Sequence, residues 1–142
     1  MGVNAGMTNS FKQEMLKGEH DLVTDDIKIA LYTTSANIGA STTAYTSDGE
    51  LVGTGYVPGG GALVGNAIAL SGKTVYVDFT DFSWGSATFS DVAGALIYNS
   101  TASNKSIAVL DFGVLDGISV SSSTFKVKFP SANANDAIIR IS

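Results

Sequence analysis

KTVYVDFTDFSWGSATFSDVAGALIYNSTASNKSIAVLDFG, residues 73–113, decides the fold class. Its opening alternates, with Val75, Val77 and Phe79 on one face and Thr74, Tyr76 and Asp78 on the other, the period of a strand with one face buried. Residues 92–99, VAGALIYN, are apolar on both faces, the pattern of a central strand covered on two sides. STASNK then joins them to SIAVLDFG as a hairpin. Further on, Asp116-Gly117 and the SVSSS run mark turns before FKVKFP, where Phe125, Val127 and Phe129 oppose Lys126 and Lys128. Strands are expected at 73–80, 92–99, 106–112, 125–130 and 137–141. They recur at about ten to fifteen residues with no helical pattern between them, which favours an antiparallel sandwich or barrel.

Working back towards the N-terminus, DIKIALYTT places Ile27, Ile29 and Leu31 on one face and Lys28, Ala30 and Tyr32 on the other, a half-buried strand. Residues 35–47 are rich in Ser, Thr and Ala and read as a surface loop closed by an Asp48-Gly49 turn, after which 50–56 is expected to be a strand. Pro58 and the glycines at 59, 60 and 61 break regular structure. The run around Leu63 and Ile68, up to Ser71-Gly72, reads as an edge strand. One short helix stands out: Ser10 as N-cap with Gln13 completing a capping box, Phe11, Met15 and Leu16 on one face, and Gly18 as the stop. About two turns long, it is marginal by itself and must dock on something. The organisation expected is an N-terminal arm and helix over 1–18, the arm being a contact element outside the core, followed by a single β domain over 19–142.

The chain has 142 residues, the size of one domain. With 44% hydrophobic but only 15% charged residues and sixteen glycines, its polar surface is neutral rather than ionic, which suits a subunit packed against others. A net charge of −5 with eight scattered Lys and Arg argues against nucleic-acid binding. No cysteine is present, so neither a disulfide framework nor a thiolate metal site forms. The N-terminus lacks the basic start and apolar core of a signal peptide, and no run reaches the roughly 18 to 20 apolar residues of a membrane span.

Little in the chain points to catalysis. His20, the single histidine, reads as a polar residue just past the helix stop, and one histidine supports neither a Ser-His-Asp triad nor a multi-histidine metal centre. Asp78, Asp81 and Asp91 lack calcium-loop spacing. GTGYVPGGG has no Gly-Lys-Ser/Thr to make it a phosphate loop. Trp84, among Phe79, Phe82 and Phe89, reads as a core corner or a subunit contact before it reads as a sugar platform. Two glycosylation sequons, at Asn99 and Asn104, matter only in a secreted protein. No enzyme activity, cofactor or metal is expected.

The ordered set NSFKQEMLKGEHDL, DIKIALYTTSANIGASTTAYT, GTGYVPGGGAL, VDFTDFSWGSATFSDVAGALIYN, KSIAVLDFG and the closing FP and AIIRI resembles a family of small tailed-bacteriophage virion proteins, over nearly the whole chain. The resemblance implies a virion component assembled in the host cytoplasm. Its first reading is a capsid decoration, or cement, protein that bridges capsomers, with the major capsid protein and copies of itself as partners. A homo-oligomer is expected, a trimer first. The alternatives are a tail or fibre-associated protein and, in another class, a carbohydrate-binding domain. Intermolecular contacts are expected at Phe11, Met15 and Leu16 on the helix, at Tyr45, Tyr56 and Pro58 in the loops, and at Trp84, because tyrosine and tryptophan bury much area while keeping a polar handle.

Overall fold

The computed structural model describes residues 2–130 and 137–141. Met1, the stretch 131–136 and Ser142, which belong to the expected arm and β domain, lie outside the described residues. In chain order the elements are β1 (Gly6–Met7), α1 (Asn9–Leu16), β2 (Ile27–Thr33), β3 (Gly61–Ala62), β4 (Ala67–Ser71), β5 (Thr74–Asp78), β6 (Phe82–Asn99), β7 (Lys105–Asp111), β8 (Ile118–Val127) and β9 (Ile139–Ile141). Among the described residues the fold is mainly β with antiparallel sheets and one short helix, in layers that do not close into a barrel.

The larger sheet runs β1-β7-β6-β2-β3, with β8 also on β6. The second half of β6 lies between β2 and β7, so VAGALIYN occupies the centre its two-faced apolarity requires. β7 and β8 succeed each other along one side of β6, since Gly94 faces Asp111 and Val92 faces Ile118. The smaller sheet is β4-β5-β9, with β4 at its edge as the sequence indicates.

Two apolar clusters flank the central strands. On one face Ile27, Ile29, Leu31, Ala95, Ile97 and Ile107 meet Phe11 of the helix, Val77 and Phe79 of the second layer, and Ile139. On the other face Ala30, Tyr32, Leu96, Tyr98 and Val109 are covered by Ala36 and Ile38. β2 is therefore buried on both faces, not half-buried. The polar-looking loop after it is the cover: within the 35–47 segment, Ala36 and Ile38 are buried and Tyr45 packs against the cluster.

The N-terminal segment is likewise part of the fold rather than a loose contact arm. Val3 bridges Ile38 in parallel, Gly6 and Met7 pair with Val109 and Ala108, and Phe11 is fully buried. Helix α1 starts two residues earlier than the sequence suggested. Thr8, not Ser10, is the N-cap: its Oγ1 accepts from Phe11 N, and the backbone at Thr8 is extended (φ −74°, ψ 151°). Thr8 wins because it is itself wholly buried and its hydroxyl also bonds Ser106, which fixes the entry of the chain. Ser10 instead reaches Ser106 Oγ and Thr42 O.

Three further differences have local causes. Residues 50–56 form no strand: Glu50 and Thr54 make only isolated bridges, to Tyr32 and Thr88. β6 begins at Phe82, ten residues before its two-faced half, and its register with β8 shifts three times, the first between Trp84 and Ala87 and the last between Phe89 and Val92, with another between Ala87 and Phe89. Ser86 and Asp91, at φ 49° and 67°, sit in the first and last of those intervals as bulge residues. The SVSSS run lies inside β8 rather than in a turn, with Ser122 bulged at φ 49°.

Candidate functional site

Among the residues expected to make intermolecular contacts, several are consumed by the fold. Tyr56 is buried, and its hydroxyl accepts from Leu31 N (3.0 Å) while donating to Glu50 Oε2 (2.6 Å). The same oxygen accepts from Gly59 N (2.7 Å), and Tyr45 donates to Glu50 Oε1. Tyr45 stacks on Tyr98, with ring centroids 4.9 Å apart, and Tyr98 donates to Gly59 O (2.6 Å). Tyr32 donates to Thr46 O (2.6 Å). One carboxylate thus pins the 56–61 loop to β2, while Pro58 stays on the surface. At Gly60 (φ +77°) a Cβ would stand 1.8 Å from Ile29 O, so the loop lies directly on β2 and only glycine fits. Glu50 carried no signal in the sequence, because a lone acid after an Asp-Gly turn looks solvated.

This cluster responds to alkali. Burial, and then the negative Glu50 nearby, push the Tyr98 hydroxyl up to about 12. Burial raises the Tyr32, Tyr45 and Tyr56 hydroxyls well above the ordinary tyrosine range, with Glu50 adding to the rise. The unfolded chain releases these protons near pH 10, whereas the folded chain holds them. Above that value the unfolded state binds fewer protons, so stability is full below about pH 10 and falls steadily as pH rises towards about 12. Tyrosine absorbance at 295 nm and circular dichroism, followed together, are expected to change in one cooperative step; smooth ionisation with no loss of structure would contradict the burial.

Trp84 is also internal, in edge contact with Phe82 (centroids 4.6 Å) and close to Tyr56 and Phe125. Its ring offers no open face for stacking a sugar. The acidic residues do not converge either. Asp81 accepts from Phe129 N (2.9 Å) and Asp91 from Thr34 Oγ1 (2.7 Å), and no three His, Cys, Asp or Glu residues are placed to share a metal among the described residues. The Asn99 side chain is fully buried, which leaves no room for a glycan.

His20 does more than follow the helix stop, for its side chain is wholly enclosed. The Asn99 amide is oriented by Thr101 N and Ala102 N, both donating to Oδ1 (3.0 and 3.1 Å), so Nδ2 points at His20 Nδ1 (3.1 Å) and Asp25 Oδ2 (2.8 Å). Nδ1 is then an acceptor and Nε2–H donates to Glu14 Oε1 (2.9 Å). The imidazole closes the floor of an apolar cleft of about 340 Å³ between α1 and the smaller sheet, lined by Phe11, Met15, Leu22, Ile68, Val77 and Ile139. With both ring nitrogens occupied, His20 orders the turn after the helix and offers no free base to the cleft.

Several large apolar side chains are open on the surface. Leu16 is 89% exposed at the helix end, and Leu70, Ile68 and Ile141 are exposed on the smaller sheet beside the cleft. Of the residues singled out in the sequence, Leu16 and Pro58 lie open, Met15 and Tyr45 partly so, and Phe11, Tyr56 and Trp84 are internal. Leu16, Ile68, Leu70 and Ile141 offer contact through shape and apolar area. Ile68 and Leu70 lie in the run read from the sequence as an edge strand but stand outside the contact residues expected there, although an uncharged apolar edge is itself such a signal. No family model, curated protein or solved structure matches the chain.

Proposed function

We propose that this chain is a non-enzymatic structural subunit of a tailed-bacteriophage virion. In this reading it is a capsid decoration protein that acts as a homo-oligomer and bridges neighbouring copies of the major capsid protein. The observation that carries the reading is the distribution of side chains. The His20 imidazole and the Glu50 carboxylate are tied into the scaffold by hydrogen bonds, whereas Leu16, Ile68, Leu70 and Ile141 are presented on the surface of a chain with few charged residues. Small apolar contacts of this kind are weak singly and effective when repeated over a shell. The internal position of Trp84 weighs against the carbohydrate-binding alternative.

Co-sedimentation of the purified protein with undecorated heads tests the reading. Saturable attachment is expected, reduced several-fold when Leu16 and Pro58 are both replaced by Ser. Attachment to isolated tails but not to heads would favour the tail or fibre reading, and attachment to neither would end both.

A further inference from the structure

Strand β4 has one side left over. Ala67–Ser71 pairs residue for residue with β5, from Ala67 opposite Asp78 to Ser71 opposite Thr74, and among the described residues nothing pairs along its other side. Alternate backbone N–H and C=O groups therefore face outward, ready to pair with another strand. Other edges are blunted. β1 and β3 are each two residues long, β9 is three residues long with Arg140 in the middle, and β8 is bulged, Ser-rich and carries Lys126. β4 has regular pairing, no charge and no proline, and it exposes Ile68 (49%) and Leu70 (70%). None of the usual devices against edge pairing is present.

We infer that β4 is the edge through which two copies of this chain join, antiparallel, about a two-fold axis at Ala69. The inference rests on reading the chain as a self-associating subunit and names the contact. The strand is self-complementary in that register: Ile68 of one copy stands opposite Leu70 of the other, and Ala67 opposite Ser71. Within one copy Ile68 is already in line with Val77 and Ile139, and Leu70 with Val75 and Ile141. Joining at β4 makes each line continuous across the axis, giving a six-stranded sheet with one unbroken apolar face. Charge selects the direction. Asp78 marks one end of β4 and Lys73, past the Gly72 turn, marks the other. Antiparallel pairing sets the lysine end of each copy beside the aspartate end of its partner, whereas parallel pairing would set like charges together. A two-fold contact is isologous, so it joins copies in pairs and would link trimers to one another rather than build them.

The absence of cysteine from the sequence makes the test clean. Facing residues of an antiparallel pair have Cα atoms about 4.5 to 5.5 Å apart, within disulfide range. Oxidised Ala69→Cys protein is expected to run as a covalent dimer without reductant. Ala67→Cys alone is not, being offset from its counterpart by about 13 Å along the strand, but an equimolar mixture of Ala67→Cys and Ser71→Cys is. Leu70→Lys, a change at an exposed site, should leave the circular dichroism spectrum intact and abolish the dimeric species in sedimentation velocity. A wild-type protein that stays monomeric at all concentrations, an Ala69→Cys protein that fails to cross-link, or an unaltered oligomer in Leu70→Lys would each overturn the inference. Cross-linking at Ala69 by a protein that attaches to neither heads nor tails would support the β4 contact and remove the virion reading alone.

Discussion

Phe11→Ala is expected to lower the stability of the folded chain by about 3 to 5 kcal/mol, the cost of emptying a phenylalanine site in a close-packed core. The ring has no exposed surface and meets His20 edge-on at 5.0 Å. It also joins the helix to the cluster containing Ile97, Val77 and Ile139. An eight-residue helix has little stability of its own, so its hold on the sheets depends on this residue and the Thr8 cap. Denaturant titration with an unchanged slope is the check. Leu16→Ala, at a site 89% exposed, is the control, and should fall within about 0.5 kcal/mol of wild type. Equal small losses for both would show that the helix lies outside the cooperative unit, as the sequence reading of residues 1–18 had it.

Glu50→Ala is expected to cost about 3 kcal/mol or more. It leaves two tyrosine hydroxyls, those of Tyr45 and Tyr56, and the Gly59 N–H without their acceptor, at about 1 to 3 kcal/mol for each group that stays dry. Glu50→Gln keeps the shape and one acceptor oxygen, so its loss should be smaller. The two variants also separate packing from charge: the glutamine protein should have a lower tyrosine ionisation range than wild type, because Glu50 contributes to the rise of all four hydroxyls. Thermal unfolding at neutral pH together with a titration at 295 nm measures both. If Glu50→Ala were as stable as wild type, the 56–61 loop would be held by its glycines and backbone contacts and not by the carboxylate.

The sequence by itself determined the fold class and much of the framework. Period-two patterns over Val75, Val77 and Phe79 and over Phe125 and Val127 mark strands, and the two-faced run 92–99 falls at the centre of the larger sheet. It also showed the hairpin between β6 and β7, because these features are local: a pleated strand sorts its own neighbours, and a turn is made by its own residues. Where a bulge inserts a residue, the period breaks. The apolar series Phe82, Trp84, Ala87, Phe89, Val92 advances by two, three, two and three; each step of three holds a bulge residue of β6, Ser86 or Asp91, while the register shift between Ala87 and Phe89 comes from the extra residue on β8 at the Ser122 bulge. Only the tertiary structure decided what the irregular segments do. Nothing in the composition of residues 35–47 shows that Ala36 and Ile38 cover the second face of β2 and β6. The same holds for Phe11, which is core, for Val3, which packs partly buried against the second cluster, and for Glu50, which gathers Tyr45, Tyr56 and Gly59. Those placements depend on contacts between residues far apart in the chain, and burial, unlike periodicity, is a property of the neighbours a residue meets after folding.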